Sequence, residues 1–254
     1  MISKNQVKLI RSLHVKKFRE HEGLFIAEGE KIIKELLNSS FKIHSIYFTD
    51  EWNGLTGDER NKKNLYKIKD DELKKISLLE NQNQVLAIVR IPENKIDFKK
   101  ITSGFALILD DIRDPGNLGT IIRTADWYGI RNIICSDQSV DAFNPKVVQS
   151  SMGSIFRTNI FYEDLEIFLT EIKKQFRIPV YGAVLDGQNI LEKKLNPESM
   201  LLMGNESKGI SANLLKLIDE KITIPKPANG TAESLNVSIA ASILCHEFFK
   251  LSPK

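Results

Sequence analysis

The second half of the chain constrains its fold most. From Phe105-Ala106-Leu107-Ile108-Leu109 onward, short apolar runs alternate with stretches of helical periodicity. A run apolar on every residue has no polar face, so it suits a parallel strand covered on both sides. Further strands are predicted over 132–135, 159–162, 179–184, 200–203 and 221–224. Helices are predicted over about 118–128, 145–152, 165–175 and 212–218, with a last helix over 232–249. That alternation predicts an α/β domain built on a parallel sheet with helices on both faces.

The first half predicts a smaller α/β unit. A helix over 3–18 would bury Val7, Leu9, Ile10, Leu13 and Phe18. Strands are expected over 23–27, 43–48, 65–68 and 85–89, helices over 31–37 and 70–77, and a polar loop over 50–64. The charged stretch 92–101 reads as a linker, which gives domains over 1–97 and 98–254. A chain of 254 residues buries a core without staples. No apolar run is long enough to span a bilayer, and the start lacks the apolar segment of a signal peptide. Cys135 and Cys245 lie far apart in apolar surroundings, as buried free thiols of a reducing cytoplasm do. His14, His21, His44 and His246 show no metal-ligand spacing. A cytoplasmic protein with neither membrane segment nor metal is expected.

The net charge is only +3, but it is unevenly spread. Lys4, Lys8, Arg11, Lys16, Lys17 and Arg19 all precede the first acid, Glu20. A basic start of this kind suits the phosphate backbone of a nucleic acid. Its alternative is a solvated helix face.

Ligands of open parallel sheets bind beyond the carboxyl ends of the strands, and three loops there are rich in Gly, Asn and small polar residues. The first runs from Asp110 through Asp114-Pro115-Gly116-Asn117, where a turn is forced and Asn117 caps a helix. That helix carries Arg123 on a largely apolar stretch, so Arg123 needs either a phosphate or a structural partner such as Asp110 or Asp126. The second loop is Met203-Gly204-Asn205-Glu206, where the missing side chain of Gly204 would let a ligand approach the backbone. The third runs from Ile224-Pro225 to Ser234-Leu235-Asn236-Val237-Ser238 at the start of the last helix. There Leu235 and Val237 are expected inside, with Ile239, Ile243 and Cys245 continuing the apolar face. No dinucleotide glycine fingerprint, phosphate-loop motif or serine-nucleophile elbow is present.

Taken in order, Asp114-Pro115-Gly116-Asn117-Leu118-Gly119 with Arg123, Gly204-Asn205-Glu206 with Gly209-Ile210, and Ile224-Pro225 with Ser234-Leu235-Asn236-Val237-Ser238 resemble the three motifs of the SpoU/TrmH-type RNA ribose 2′-O-methyltransferases of the SPOUT class. The resemblance covers about residues 105–250. More loosely, Phe25-Ile26-Ala27-Glu28-Gly29 resembles the ribosomal-protein-like RNA-binding domain of many members. Lys226-Pro227-Ala228 departs from the Met and Gly that often follow Ile-Pro in the family. The resemblance implies a deep trefoil knot in the C-terminal domain, S-adenosylmethionine as cofactor, no metal and a homodimer. Met203, Gly204, Asn205, Ile224, Pro225, Leu235 and Val237 would line the cofactor. Arg123, Asn117, Glu206, Ser234 and Asn236 would surround the reacting centre. The substrate would be a structured RNA, ribosomal RNA (23S above all) before transfer RNA. A non-catalytic RNA-binding or ribosome-assembly factor on the same fold is the other reading.

Overall fold

The computed structural model describes residues 2–55, 64–79, 83–93 and 95–250. The loop expected over 50–64 falls largely on 56–63, outside the described residues. The chain forms two compact units. The first comprises Met1–Glu93 together with Asp141–Arg157, and the second Asn94–Val140 with Thr158–Lys254.

The first unit holds a four-stranded sheet, ordered β1 (Leu24–Glu28), β4 (Val85–Arg90), β2 (Ile43–Phe48), β3 (Leu65–Lys67). Strand β4 pairs antiparallel with both β1 and β2, while β2 and β3 run parallel. Helices α3 (Glu30–Leu37) and α4 (Asp70–Lys74) accompany the sheet. Glu28 is buried at the end of β1, where burial pushes its carboxyl above the usual range. Its oxygens accept from Ser77 Oγ, Leu78 N and Asn83 Nδ2 at 2.6, 3.1 and 3.0 Å, which oppose that shift and tie the 77–83 segment to the strand.

The single helix expected over 3–18 is two: α1 (Lys4–Ser12) and α2 (Lys16–Glu22). Leu13 caps the first, and Val15, in extended backbone, starts the second. That break changes the register of everything after it. Ile10 and Leu13 are buried as expected, but Phe18 is exposed and Arg19 takes the interior position. Arg19 donates from Nε and Nη2 to Asp141 Oδ2, at 2.8 and 2.6 Å, and from Nη1 to the Leu13 carbonyl at 2.8 Å.

Asp141 belongs to a second difference from the expected boundary at 97/98. The helix expected over 145–152 forms, as α7 (Pro145–Ser151), but it packs on β1 of the first unit. Aromatic rings hold it there: Phe143 lies 4.7 Å from Phe25 and Phe156 lies 5.2 Å from Phe41. Gly153 has φ +92 and sits where a Cβ would come within 2.7 Å of the Glu35 side chain. A linear boundary could not show this, because the apolar residues of 141–157 say that they are buried, not against what.

The second unit is a six-stranded, all-parallel sheet. Its order is β10 (Glu220–Thr223), β8 (Val180–Asn189), β9 (Met200–Met203), β5 (Ala106–Leu109), β6 (Asn132–Ser136), β7 (Asn159–Glu163). Strands β5 and β9 are buried along their whole length, as apolar runs without a polar face require. Ile108, Ile134 and Leu202 share a core with α5 (Phe98–Thr102), α8 (Leu165–Gln175) and α9 (Ala212–Leu215). Helices α6 (Pro115–Trp127) and α10 (Val237–Phe249) pack together, and Phe248 meets Tyr181 and Phe105. Helix α5 overlaps the end of the stretch read as linker. Both cysteines are buried and free, their thiols pushed up to about 12 by desolvation. Among the described residues, no helix is long and apolar enough to cross a membrane.

Helix α10 begins later than expected. Asn236 is its cap, accepting from Ser238 N at 2.9 Å, and Ala232–Leu235 precede it in exposed, non-helical chain. Its buried face is Val237, Ala241, Leu244, Cys245 and Phe248, not the row through Leu235, Ile239 and Ile243, which is exposed. The helix is apolar on two sides, so periodicity alone could not choose between them.

Candidate active site at the carboxyl ends of the strands

Strands β5 and β9 pair in register, with Leu109 opposite Met203. The first two loops therefore leave the sheet side by side, joined by Asp110 N donating to the Met203 carbonyl at 2.9 Å. The third starts at β10, three strands from β5. That is roughly 14 Å at ordinary strand spacing. The extended chain from Ile224 to Asn236 covers it easily at about 3.3 Å per residue.

The three loops meet through side chains. Asn236 Nδ2 donates to Asn117 Oδ1 at 2.9 Å, and Asn117 Nδ2 donates to Glu206 Oε1 at 3.0 Å. The two amides are anchored in turn. Asn236 Oδ1 also accepts from Ser238 Oγ at 2.7 Å, while the Asn117 backbone N–H donates to the Asp114 cap at 2.8 Å. Each amide uses its donor on one neighbour and its acceptor on the other, which fixes the orientation of both planes. Three of the five expected catalytic residues thus form one chain of hydrogen bonds. The carboxylate at its end is exposed and keeps Oε2 open to a ligand.

Ser234 and Arg123 lie outside that chain. Ser234 is exposed two residues before the cap, and its hydroxyl has no partner among the described residues. Arg123 stands about 9 Å further along α6 than Asn117, at ~1.5 Å rise per residue. It is exposed on the side of the helix that carries Trp127 and makes no ion pair among the described residues. Neither structural partner considered for it forms. The Asp110 carboxylate accepts from Ser211 N at 2.8 Å, and Asp126 lies 3.8 Å from Arg131. Thr124, the next residue, ties α6 to α10 through Ser242 at 2.9 Å.

The expected cofactor residues divide by what their side chains already do. Met203 and Val237 are buried walls. Asn205 is a structural lock: its Oδ1 accepts from Ser207 N, Ser207 Oγ and Lys208 N, and its Nδ2 donates to the Asp111 carbonyl at 2.7 Å. Gly204 is required by the chain itself, since a Cβ there would run into the backbone of Gly209 and Ile210. Asn205 and Gly209 exchange backbone hydrogen bonds at 3.0 Å just beyond it. The room attributed to a ligand at Gly204 is thus occupied by the loop's own return. The open surface lies in the third loop. Among the described residues, Thr231 to Leu235 make no backbone–backbone hydrogen bond, and Leu235 is 49 % exposed. The Ala232 carbonyl accepts from Lys226 Nζ at 3.0 Å; the remaining main-chain groups, beside an uncovered apolar side chain, suit a flat heterocycle with a polar edge. Ile224 and Pro225 begin the same loop, half-buried and exposed. Among the described residues, no three His, Cys, Asp or Glu side chains gather as a metal site.

The basic opening stretch divides too. Lys4, Lys8, Lys16 and Lys17 are exposed. Arg11 is exposed and spends its Nε on the Lys75 carbonyl at 2.8 Å. Arg19 is buried with Asp141 and is withdrawn from any RNA-facing set.

An all-parallel sheet with Asn, Glu and Asn side chains converging at the strand ends places a polar site where open α/β sheets bind ligands. The chain belongs to the SpoU rRNA methylase family, whose model matches residues 104–246, and residues 4–87 match an MRM3-like substrate binding domain. It is 35 % identical to the 23S rRNA (guanosine(2553)-2′-O)-methyltransferase RlmP of Bacillus subtilis, over 96 % of each chain. A TrmH-family structure from Porphyromonas gingivalis superposes with a TM-score of 0.88 at 35 % identity, covering 99 % of this chain and 100 % of that one. An AdoMet-bound rRNA methyltransferase from Sinorhizobium meliloti does so at 0.83 and 28 % identity, over 100 % and 98 %.

Proposed function

We propose that the protein transfers the methyl group of S-adenosylmethionine to a ribose 2′-hydroxyl of ribosomal RNA, with 23S rRNA before transfer RNA as substrate. The observation that carries this reading is the Asn236–Asn117–Glu206 chain, which joins the three family motifs at one point. The relatives support it, a ribose methyltransferase among them and another with the cofactor bound.

S-adenosylmethionine supplies an already activated sulfonium methyl, so the protein needs no metal and no covalent intermediate. The open backbone of Thr231–Leu235 and the exposed Leu235 would hold the adenosine, with Ile224, Pro225 and Gly204 main chain beside it and Met203 and Val237 behind. Glu206 Oε2 accepts the hydrogen bond of the ribose hydroxyl, and the Asn117 amide holds the carboxylate still while it does so. Ser234 and Asn236 fix the sugar. A guanidinium keeps its proton in proteins, so Arg123 does not act as base. It holds the substrate phosphate and polarises the hydroxyl oxygen, and the proton leaves to that phosphate or to water. Lys4, Lys8, Lys16 and Lys17 of the first unit, with Arg11, supply affinity for the RNA backbone.

We also infer a cytoplasmic homodimer with a knotted C-terminal unit. Trp127 is 83 % exposed on α6, and Ile239, Ile243 and Phe249 are exposed on the adjacent α10. This apolar group suits a second copy of the chain. Sedimentation at micromolar concentration tests the dimer: a mass near twice that of the chain is expected, and a monomer that still methylates RNA contradicts it. Incubation with methyl-labelled S-adenosylmethionine and ribosomal RNA tests the reaction. Label in alkali-resistant dinucleotides marks a 2′-O-methyl; label confined to bases, or none, overturns the reading.

A further inference from the structure

A third charged residue stands at the site that no motif assigned. Arg113 lies on the loop between β5 and α6, 63 % exposed, with its Nε donating to Asp111 Oδ1 at 2.7 Å. Its two terminal nitrogens donate to nothing among the described residues. A guanidinium has five donors in a planar fork. Here one edge is used and the other faces solvent.

The carboxylate that holds it is unusually well fixed. Asp111 has φ +56, a conformation that costs an ordinary side chain energy and that Asp tolerates better than most. Three contacts impose it. Asp111 N donates to Ser136 Oγ at 2.8 Å, its carbonyl accepts Asn205 Nδ2 at 2.7 Å, and its Oδ2 lies 3.4 Å from the same nitrogen. Ser136 in turn meets Ser139, which also accepts from Ile112 N at 3.1 Å. The first and second motif loops therefore hold the Asp111 carboxylate between them, and Arg113 rests on it. The hydrogen bond to Asp111, then the Asp111 charge and last that of Glu206, hold the Arg113 guanidinium above its ordinary range.

We propose that Arg113 binds a backbone phosphate next to the target nucleotide and so positions the ribose against Glu206 and Asn117. This rests on the RNA methyltransferase reading above. The physical need is plain. Glu206 and Asp111 would repel an incoming phosphodiester, yet the 2′-hydroxyl is covalently tied to one. A cation held on Asp111 by one edge, with its other edge outward, offsets that repulsion and accepts the phosphate in a two-point geometry. Arg123, on α6, keeps its own phosphate contact and the reacting hydroxyl.

The test uses the full chain, ribosomal RNA from a strain lacking the gene, and four variants: Arg113→Ala, Arg113→Lys, Asp111→Asn and the Asp111→Asn/Arg113→Ala double. RNA affinity is measured by filter binding over a salt series, and methyl transfer is measured on the same RNA. Arg113→Ala is expected to raise the RNA KM about tenfold with kcat and S-adenosylmethionine affinity within twofold. The slope of log affinity against log salt should flatten by roughly 0.7–0.9, one phosphate contact. Arg113→Lys should recover the slope but only part of the KM, because it keeps the charge and loses the fork. Asp111→Asn should raise KM less than Arg113→Ala. The double variant separates binding from mere neutralisation. It should stay as weak as Arg113→Ala; affinity restored to that of the unaltered chain would mean that Arg113 only masks Asp111 and would overturn the proposal. An unchanged salt slope in Arg113→Ala would overturn it as well. If the unaltered chain binds this RNA without methylating it, the reading of the reaction fails, while the binding arms still decide on Arg113.

Discussion

Each unit carries an Arg–Asp pair, and the two pairs do different work. Arg19 is 2 % exposed and spends Nε, Nη1 and Nη2 on Asp141 and the Leu13 carbonyl. Arg113 spends one nitrogen on Asp111 and leaves the rest in solvent. Burial makes the first pair a structural pin: it joins α2 to the 141–157 segment, and losing Asp141 would strand the Arg19 charge in the interior. Exposure makes the second pair a device for holding a cation in a chosen pose at little cost or gain in stability. The ion-pair chemistry is the same, and what surrounds it decides whether it supports the fold or serves a ligand.

Breaking the buried pair should have the largest effect. Arg19→Ala is expected to destabilise the protein by about 3 kcal/mol, the lower end of the cost of breaking a buried pair, because the Asp141 left behind is 15 % exposed. Denaturant unfolding followed through the first unit reads this directly. A loss below ~1 kcal/mol, with RNA affinity falling instead, would return Arg19 to the RNA surface. Arg113→Ala sharpens the contrast: its unfolding midpoint should not move measurably.

Arg123→Ala comes next. Turnover with saturating RNA and S-adenosylmethionine should fall by roughly 10²-fold or more, the scale for losing one group that acts on developing charge, while both affinities fall only modestly. Near-normal turnover would remove Arg123 from the reacting centre.

Gly204→Val should act on the loop before it acts on the ligand. The added side chain meets the backbone of Gly209 and Ile210, and overpacking of this kind costs about 1–3 kcal/mol. Thermal stability and S-adenosylmethionine affinity should therefore fall together in calorimetry. Lost affinity at unchanged stability would instead place the adenosine against Gly204. The smallest effect belongs to Lys16→Ala/Lys17→Ala, which should flatten the salt dependence of RNA binding by at most about 1.4–1.8 and leave stability unchanged.

These residues also show what a sequence can reveal. The parallel sheet was legible because Ala106–Leu109 and Met200–Met203 are apolar on every residue, and only a strand covered on both faces needs that. The strand-end loops were legible because Pro, Gly and Asn punctuate them, and the convergence of Asn117, Glu206 and Asn236 then follows from the order of β5, β9 and β10. Arg19 was not legible, since a charge run does not say which member turns inward; a break at Leu13–Val15 did that. The exposed row on α10 was misread because a helix apolar on two sides offers two equivalent faces. Asp111 and Arg113 left almost no signal. Their roles come from a positive φ and from Asn205, whose side chain reaches across from the second loop.

The central claim is that Asn117 and Asn236 act as one unit with Glu206. A double-mutant cycle on methyl transfer to ribosomal RNA tests it most directly, with Asn117→Ala, Asn236→Ala and the pair measured at saturating cofactor. A linked network predicts that the double variant loses little more turnover than the worse single variant, a coupling on the order of 1 kcal/mol or more. Losses that simply add would show that the two amides work independently and that the three loops do not build one site.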